Sequence, residues 1–289
     1  MKWNEAKIPL LTHALHYGTG VFEGVRAYPS DNNLYLFRIK EHLERLFRSA
    51  KLYYLESKHD LADLSNAIVD LLRANKMKGK TYIRPLIYVG YGGIGLNFTG
   101  FPIHAAICAV NFDHYFDKSS VKICTSSWRR ISEQSTPPLS KACGNYLNSV
   151  LGKIDALKNG YDDAILLDHE GLVSEGTGEN IFIVQEGKLH TPTISSSILN
   201  GITRDSVITL ANDLGIEVIE RNIARTELYT CEEAFFTGTA AEVTSIYEVD
   251  RRVVGSGKMG KITKVIRDLY LDSVHGRTNT HFDWLTSVY

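Results

Sequence analysis

The chain has 289 residues, 44% hydrophobic and 22% charged, which excludes a disordered chain and suggests, at about 150 residues per domain, two domains or one large one. Lys and Arg number 32 against 33 Asp and Glu, so the electropositive field that phosphate-backbone binding needs is missing and nucleic acid is excluded as a partner. No apolar run approaches the roughly 18 residues of a membrane helix, and residues 8–11 are too short an apolar region for a signal peptide, so the expectation is a soluble cytoplasmic protein without a membrane partner.

Residues 34–37 (LYLF) read as a short strand that runs into a helix in which Ile39, Leu43, Leu46, Phe47 and Ala50 recur at helical spacing, followed by a second helix near 61–74. Strands at 82–89 and 105–111 close the first half. Residues 113–120 (DHYFDKSS) are polar and aperiodic, and a new strand opens at 121–125. The chain therefore divides into a small N-terminal α/β domain over 1–113, a linker over 114–120 and a larger C-terminal domain over 121–289. The second half predicts a helix over 146–157 stopped by Gly160, strands at 164–168 and 181–184, a helix over 204–214 stopped by Gly215, and an alternating strand at 216–220. Strands at 234–236 and 243–249 follow. A helix over about 260–271 carries Ile262, Val265, Ile266 and Leu269 on one stripe. Helices and strands mix without internal repeats, giving an α+β class.

Several features bear on chemistry. Cys108, Cys124, Cys143 and Cys231 are far apart with no C-x-x-C pair, and His13 and His16 lack a third ligand at suitable spacing, so neither a disulfide framework nor a metal site is expected. Residues 90–95 (GYGGIG) match a dinucleotide fingerprint, but LNFTGFP follows instead of a helix, so they read as a tight loop. Gly201-Ile202-Thr203 stands before a helix, with Thr203 as its N-cap: either a phosphate cradle or a capped helix that binds nothing. Residues 237–241 (TGTAA) repeat the theme, with a hydroxyl at Thr239. Lys141, in SKACGNY after Pro137-Pro138, is a candidate nucleophile towards a carbonyl if buried, and otherwise a surface charge. Glu175, in LVSEGTGEN, either aims a carboxylate into a cleft or is an ordinary acidic turn residue. Arg45 lies opposite the apolar stripe of its helix and can pair with Glu41, as a solvated arginine does. Arg84, between apolar neighbours in its strand, calls for a buried anion. Tyr17, Phe22, Tyr82, Tyr115 and Trp128 read as pocket walls or as core.

Together these residues resemble the branched-chain amino acid aminotransferases, fold-type IV enzymes of pyridoxal 5'-phosphate. The resemblance runs through HALHYGTGVFEGVR (13–26), EHLERL (41–46), YIRP (82–85), KACGNY (141–146), SEGTGEN (174–180), GITRD (201–205) and GTAAE (238–242). It covers nearly the whole chain and implies a small α/β domain and a larger domain with a barrel-like mixed sheet. Lys141 would hold the cofactor covalently and carry the proton at the substrate Cα; Glu175 would meet the pyridine nitrogen and Tyr146 the phenolic oxygen. The phosphate would rest on Arg45, on the backbone of Ile202 and Thr203, and on Thr239. The substrate α-carboxylate would lie near Tyr82 and the backbone of Thr239 and Ala240, with Phe22 and Tyr17 as apolar walls and Arg84 meeting the distal carboxylate of glutamate.

The implied reaction is transamination between leucine, isoleucine or valine and 2-oxoglutarate, by a homodimer or higher homo-oligomer whose small-domain loops close the partner's site. D-amino acid aminotransferase and aminodeoxychorismate lyase share the fold; FEGVR and YIRP favour the branched-chain group. Relatives carry a further strand or two ahead of residues 3–11, which implies here either fewer strands or a start placed too late. Cys143 stands where many relatives carry glycine, and a tolerated thiol with some oxidative sensitivity is expected.

Overall fold

The computed structural model describes every residue except Asn32 and Asp117, the latter within the expected linker. In chain order the elements are α1 (His13–Tyr17), β1 (Gly20–Phe22), β2 (Val25–Ser30), β3 (Asn33–Phe37), α2 (Ile39–Leu52), α3 (Leu61–Ala74), β4 (Thr81–Val89), β5 (Ile103–Asn111), β6 (Ser120–Arg129), α4 (Tyr146–Lys158) and β7 (Asp163–Leu167). There follow β8 (Val173–Gly176), β9 (Asn180–Gln185), β10 (Lys188–Thr191), α5 (Ile202–Asp213), β11 (Val218–Glu220), β12 (Glu233–Gly238), β13 (Glu242–Val249), β14 (Arg252–Val253), α6 (Lys261–Val274) and β15 (Leu285–Ser287).

Among the described residues the strands form two sheets. In the first, antiparallel throughout, β4 pairs with β5 along one edge and with β1 and β2 in turn along the other, and β3 and β15 extend the sheet beyond β2. The second is mixed, in the order β11-β10-β9-β12-β13-β6-β7-β8, with β14 on β13. Its parallel pairs are β10 with β11, β13 with β6 and β6 with β7. The helices expected from apolar spacing form: α2 and α3 bury Leu43, Leu46, Leu64, Ile68 and Leu72 against Val25, Leu36, Ile83 and Ile87 of the first sheet. Gly160 and Gly215 follow α4 and α5 at φ +78° and +70°, a left-handed conformation that glycine adopts without strain.

Two features lay beyond the sequence reading. A third cluster joins the sheets, packing Tyr28 and Phe37 of the first against Phe182, Phe235, Val207, Ile266 and Tyr270 of the second sheet and its helices. The end of the chain also returns: β15 pairs with β3, and the Val288 amide donates to the Leu34 carbonyl. The segment 121–289 is therefore not confined to the second sheet, because the C-terminal strand β15 pairs with the edge that β3 leaves open.

Candidate active site

The site lies where β1 and α2 of the first sheet meet β8, β12, α4 and the N-terminus of α5. Lys141 reaches it through an extended segment docked on β1. The Phe22 amide donates to the Lys141 carbonyl at 2.9 Å, the Cys143 amide donates to the Gly20 carbonyl at 2.8 Å, and Ala142 bridges Val21. The Asn145 side chain clamps the preceding turn by donating to the Pro137 and Ser140 carbonyls. Lys141 Nζ donates to the Tyr146 hydroxyl at 2.6 Å, and the Tyr146 ring packs against Phe22 at 4.8 Å between centroids, tilted by 59°.

Glu175 lies in strand β8, not in a turn, and is 5% exposed. Arg130 Nη2 pairs with its Oε1 at 2.8 Å; Asn180 Nδ2 and the Leu199 amide both donate to Oε2 at 2.9 Å. Burial pushes this carboxyl up, and Arg130 and the Leu199 N–H pull it part of the way back.

Arg45 is buried, contrary to the helical-wheel reading, because the strip of α2 that carries His42, Arg45 and Ser49 faces Glu23 and the loop before α5, while Lys40, Arg48 and Lys51 keep the solvent side. Its Nε and Nη2 grip Glu23 at 2.6 and 2.9 Å, and Nη1 donates to the Asn200 carbonyl at 2.7 Å. Glu41 pairs with Arg38 instead. Burial alone would raise the Glu23 carboxyl, but Arg45 and His42 outweigh it and hold it well below the usual carboxylate range. Burial pulls His42 itself below its ordinary value, so the cation facing Glu23 at neutral pH is Arg45 and the His42 Nδ1–H, at 2.7 Å, is a neutral donor.

The N-cap of α5 is Gly201, not Thr203, which is the second residue of the helix. With no side chain capping it, the first amides of α5 lack intrahelical partners and face the cleft. A Cβ on Gly201 would fall 1.9 Å from Asn180 Oδ1, so the close approach of this turn to β9 requires glycine.

These groups line one cleft that includes Arg45, Lys141, Tyr146, Glu175, Ile202, Thr203 and Thr239. A second, adjoining cavity shares Lys141, Tyr146, Glu179 and Thr239 and adds Phe22, Tyr82, Arg84, Tyr115 and Ala240.

The chain matches the amino-transferase class IV family over residues 20–249. The chain belongs to this family. A probable branched-chain-amino-acid aminotransferase of Aquifex aeolicus is 43% identical, over 99% of this chain and 93% of that protein. The branched-chain aminotransferase of Thermoproteus uzoniensis, solved with norvaline, superposes with a TM-score of 0.97 at 46% identity, covering 100% of this chain and 96% of that one. The branched-chain amino acid aminotransferase of Thermobaculum terrenum, solved in its PLP holo-form, gives a TM-score of 0.95 at 40% identity, covering 100% of this chain and 95% of that one.

The donor set of this class IV aminotransferase fits the cofactor its sequence implies. The hydroxyls of Ser140 and Thr237, both lining the cleft, are buried without a hydrogen-bond partner among the described residues. With the free amides of α5 and the Arg45 guanidinium they form a pocket of donors for a group rich in acceptor oxygens, while Glu175 offers a carboxylate to a ring nitrogen.

Two expectations need correction. Arg84 is exposed, with no buried anion: its side chain points off β4 into the open cavity, its guanidinium 4.5 Å over the Phe22 ring and its Nη2 donating to the Tyr82 hydroxyl at 3.1 Å. Tyr17 is not among the residues lining either cavity. It ends α1, 39% exposed, where its hydroxyl accepts from the Gly95 amide at 3.2 Å. Of the other aromatic candidates Tyr115 lines the cavity, whereas Trp128 does not and donates to Asp155. His13 is engaged by Thr19 and the Gly95 carbonyl. Burial pushes the Cys143 thiol up, which disfavours the reactive thiolate.

Sequence reasoning missed Glu23, Arg130 and Glu179. Glu23 and Glu179 sit inside FEGVR and SEGTGEN, and a carboxylate among apolar and glycine neighbours was the available signal. Arg130, on an irregular stretch after β6, gave none.

Proposed function

We propose that this chain catalyses pyridoxal 5'-phosphate-dependent transamination between branched-chain L-amino acids and 2-oxoglutarate. The observation that carries the reading is the convergence of Lys141, Tyr146, Glu175, Arg45 and the uncapped α5 N-terminus on one cleft, in a class IV aminotransferase whose full-length relatives are named branched-chain aminotransferases.

Bound in the cleft, the cofactor supplies an electron sink for the charge left when the substrate Cα loses its proton. Lys141 would hold it covalently through Nζ, and the same amine would carry the proton to and from the substrate Cα. Tyr146, already hydrogen-bonded to Lys141 Nζ, orients the phenolic side of the ring. Glu175, steadied by Arg130, Asn180 and Leu199, keeps a proton on the ring nitrogen. Arg45, the amides of Ile202 and Thr203, and Thr239 bind the phosphate. Tyr82 and the backbone of Thr239 and Ala240 receive the substrate α-carboxylate. Phe22 provides an apolar wall, and Arg84, resting on that ring, meets the distal carboxylate of glutamate.

The two sheets are read as two domains, 1–113 and 121–289, joined by 114–120, with the C-terminal strand reaching back. Tyr17 then belongs to the cleft of a second copy in a homodimer, where the exposed face it occupies would close the partner's site. A cytoplasmic setting agrees with the balanced charge, and no helix among the described residues is long and apolar enough to cross a membrane.

Initial rates with 2-oxoglutarate as acceptor test the reading. L-leucine is expected to turn over at least tenfold faster than D-alanine in kcat/KM, a gap of about 1.4 kcal/mol; the reverse order would assign the site to D-amino acids.

A further inference from the structure

Glu179, at the turn between β8 and β9, has no role in the scheme above. It is 5% exposed, yet it lines both the cofactor cleft and the adjoining substrate cavity. The turn fixes it: the Gly176 amide donates to its carbonyl at 2.7 Å, the Gly178 amide donates to its Oε2 at 3.0 Å, and Gly238, next to Thr239, lies against its Cγ.

Behind it on β7 stands Asp163, fully buried. Asp163 already holds Lys153 of α4 at 2.6 Å, and accepts from Thr177 Oγ1 and the Ala164 amide, each at 2.7 Å. No ion pair engages Glu179 among the described residues. Its remaining titratable neighbours are Glu175 of β8, Tyr115 from the segment after β5, and the Lys141–Tyr146 pair across the cavity. Two buried carboxyls thus share one lysine, and Glu179, the less well bonded, is the one that keeps a proton. Burial first, then the Asp163 carboxylate, push its carboxyl up to about 8, with Lys153 and the Gly178 N–H opposing.

We propose that Glu179 is a proton-dependent gate for carboxylates in the substrate cavity: protonated, it admits a substrate carboxylate beside Thr239 and Ala240; ionised, it repels it. The cavity lining motivates this: Glu179 shares the cavity with Tyr82, Thr239 and Ala240, where an ionised carboxylate would oppose the substrate α-carboxylate and offset the attraction of Arg84 and Lys141. The inference rests on the reading of these cavities given under the proposed function.

The test titrates the cofactor-loaded enzyme with 4-methylvalerate, which is leucine without its amino group, following the cofactor's absorbance from pH 7 to 9.5. One linked proton raises the dissociation constant by up to about tenfold per pH unit above the titration point. The unmodified enzyme should lose at least tenfold across the range, and Glu179→Gln, neutral and of the same shape, less than threefold. The cofactor's own titration is read separately from ligand-free spectra and should be common to both. A Glu179→Gln variant with the parent's slope would overturn the proposal. If that variant does not take up cofactor, Glu179→Met carries the same comparison. In the unmodified enzyme, 4-methylvaleramide, which bears no charge, should bind with a flat profile; a rise as steep as the acid's would also overturn it. Whether the loaded enzyme binds 4-methylvalerate at all near pH 7 tests the function; the difference in slope tests Glu179.

Discussion

Arg45 shows how a residue's surroundings decide its chemistry. Glu23 has no exposure, and its two oxygens are taken by Arg45 Nε and Nη2 and by His42. Removing the guanidinium leaves a buried carboxylate without its cation, which costs about 3–5 kcal/mol. Arg45→Ala is therefore expected to lose about that much in denaturant unfolding near pH 7, and to hold pyridoxal phosphate more weakly in equilibrium titration. The sign of the pH dependence follows from Glu23. Its folded carboxyl sits below its unfolded value, so the stability it contributes is complete above the ordinary carboxylate pKa of about 4.3 and is lost as pH falls through the folded value. Parent and variant should converge in acid; a gap that persists unchanged down to the acid limit would place the damage elsewhere.

The turn that opens α5 shows what helical periodicity leaves out. An α-helix with a serine or threonine N-cap spends a side-chain oxygen on its first amides; here Gly201 leaves them free, while Asn180, one strand away, fills the space a Cβ would need. Asn180 cannot turn aside without releasing Glu175 and the Leu199 carbonyl. Gly201→Ala is thus expected to cost about 1–3 kcal/mol of stability and to weaken cofactor binding through both the phosphate end and Glu175, measured by thermal unfolding with and without cofactor. A variant with parental affinity would show that the turn relaxes freely. The elements themselves were largely legible: α2, α3 and α6 follow apolar stripes, α4 and α5 end at the expected glycines, and β4, β6, β9, β12 and β13 follow apolar runs. The strands β1, β2, β8 and β10 were not, because GVF, VRAYPS, VSEG and KLHT are interrupted by glycine, proline or charged residues and lack the apolar run that marks β9 and β12.

For the molecule as a whole, residue types and order revealed more than periodicity did. Lys141, Glu175 and Thr239 come from segments far apart in sequence, and spacing alone left each of them open between a site and a solvated surface. Only the resemblance joined them, and the cleft in which they converge agrees with it. What neither could supply was direction in space: Arg84 faces an open cavity beside Phe22, Tyr17 lines neither cavity of its own chain, and β15 returns to the first sheet. These depend on how the sheets pack through Tyr28, Phe37, Phe182 and Tyr270 and on what covers the exposed face. The cleft between the sheets is where the account is most directly tested. A visible spectrum of the purified protein with pyridoxal phosphate should show a band that bleaches with L-leucine and returns with 2-oxoglutarate, and Lys141→Ala should abolish that cycle. A protein that takes up no cofactor, or a Lys141→Ala variant that completes the cycle as fast as the parent, would contradict it.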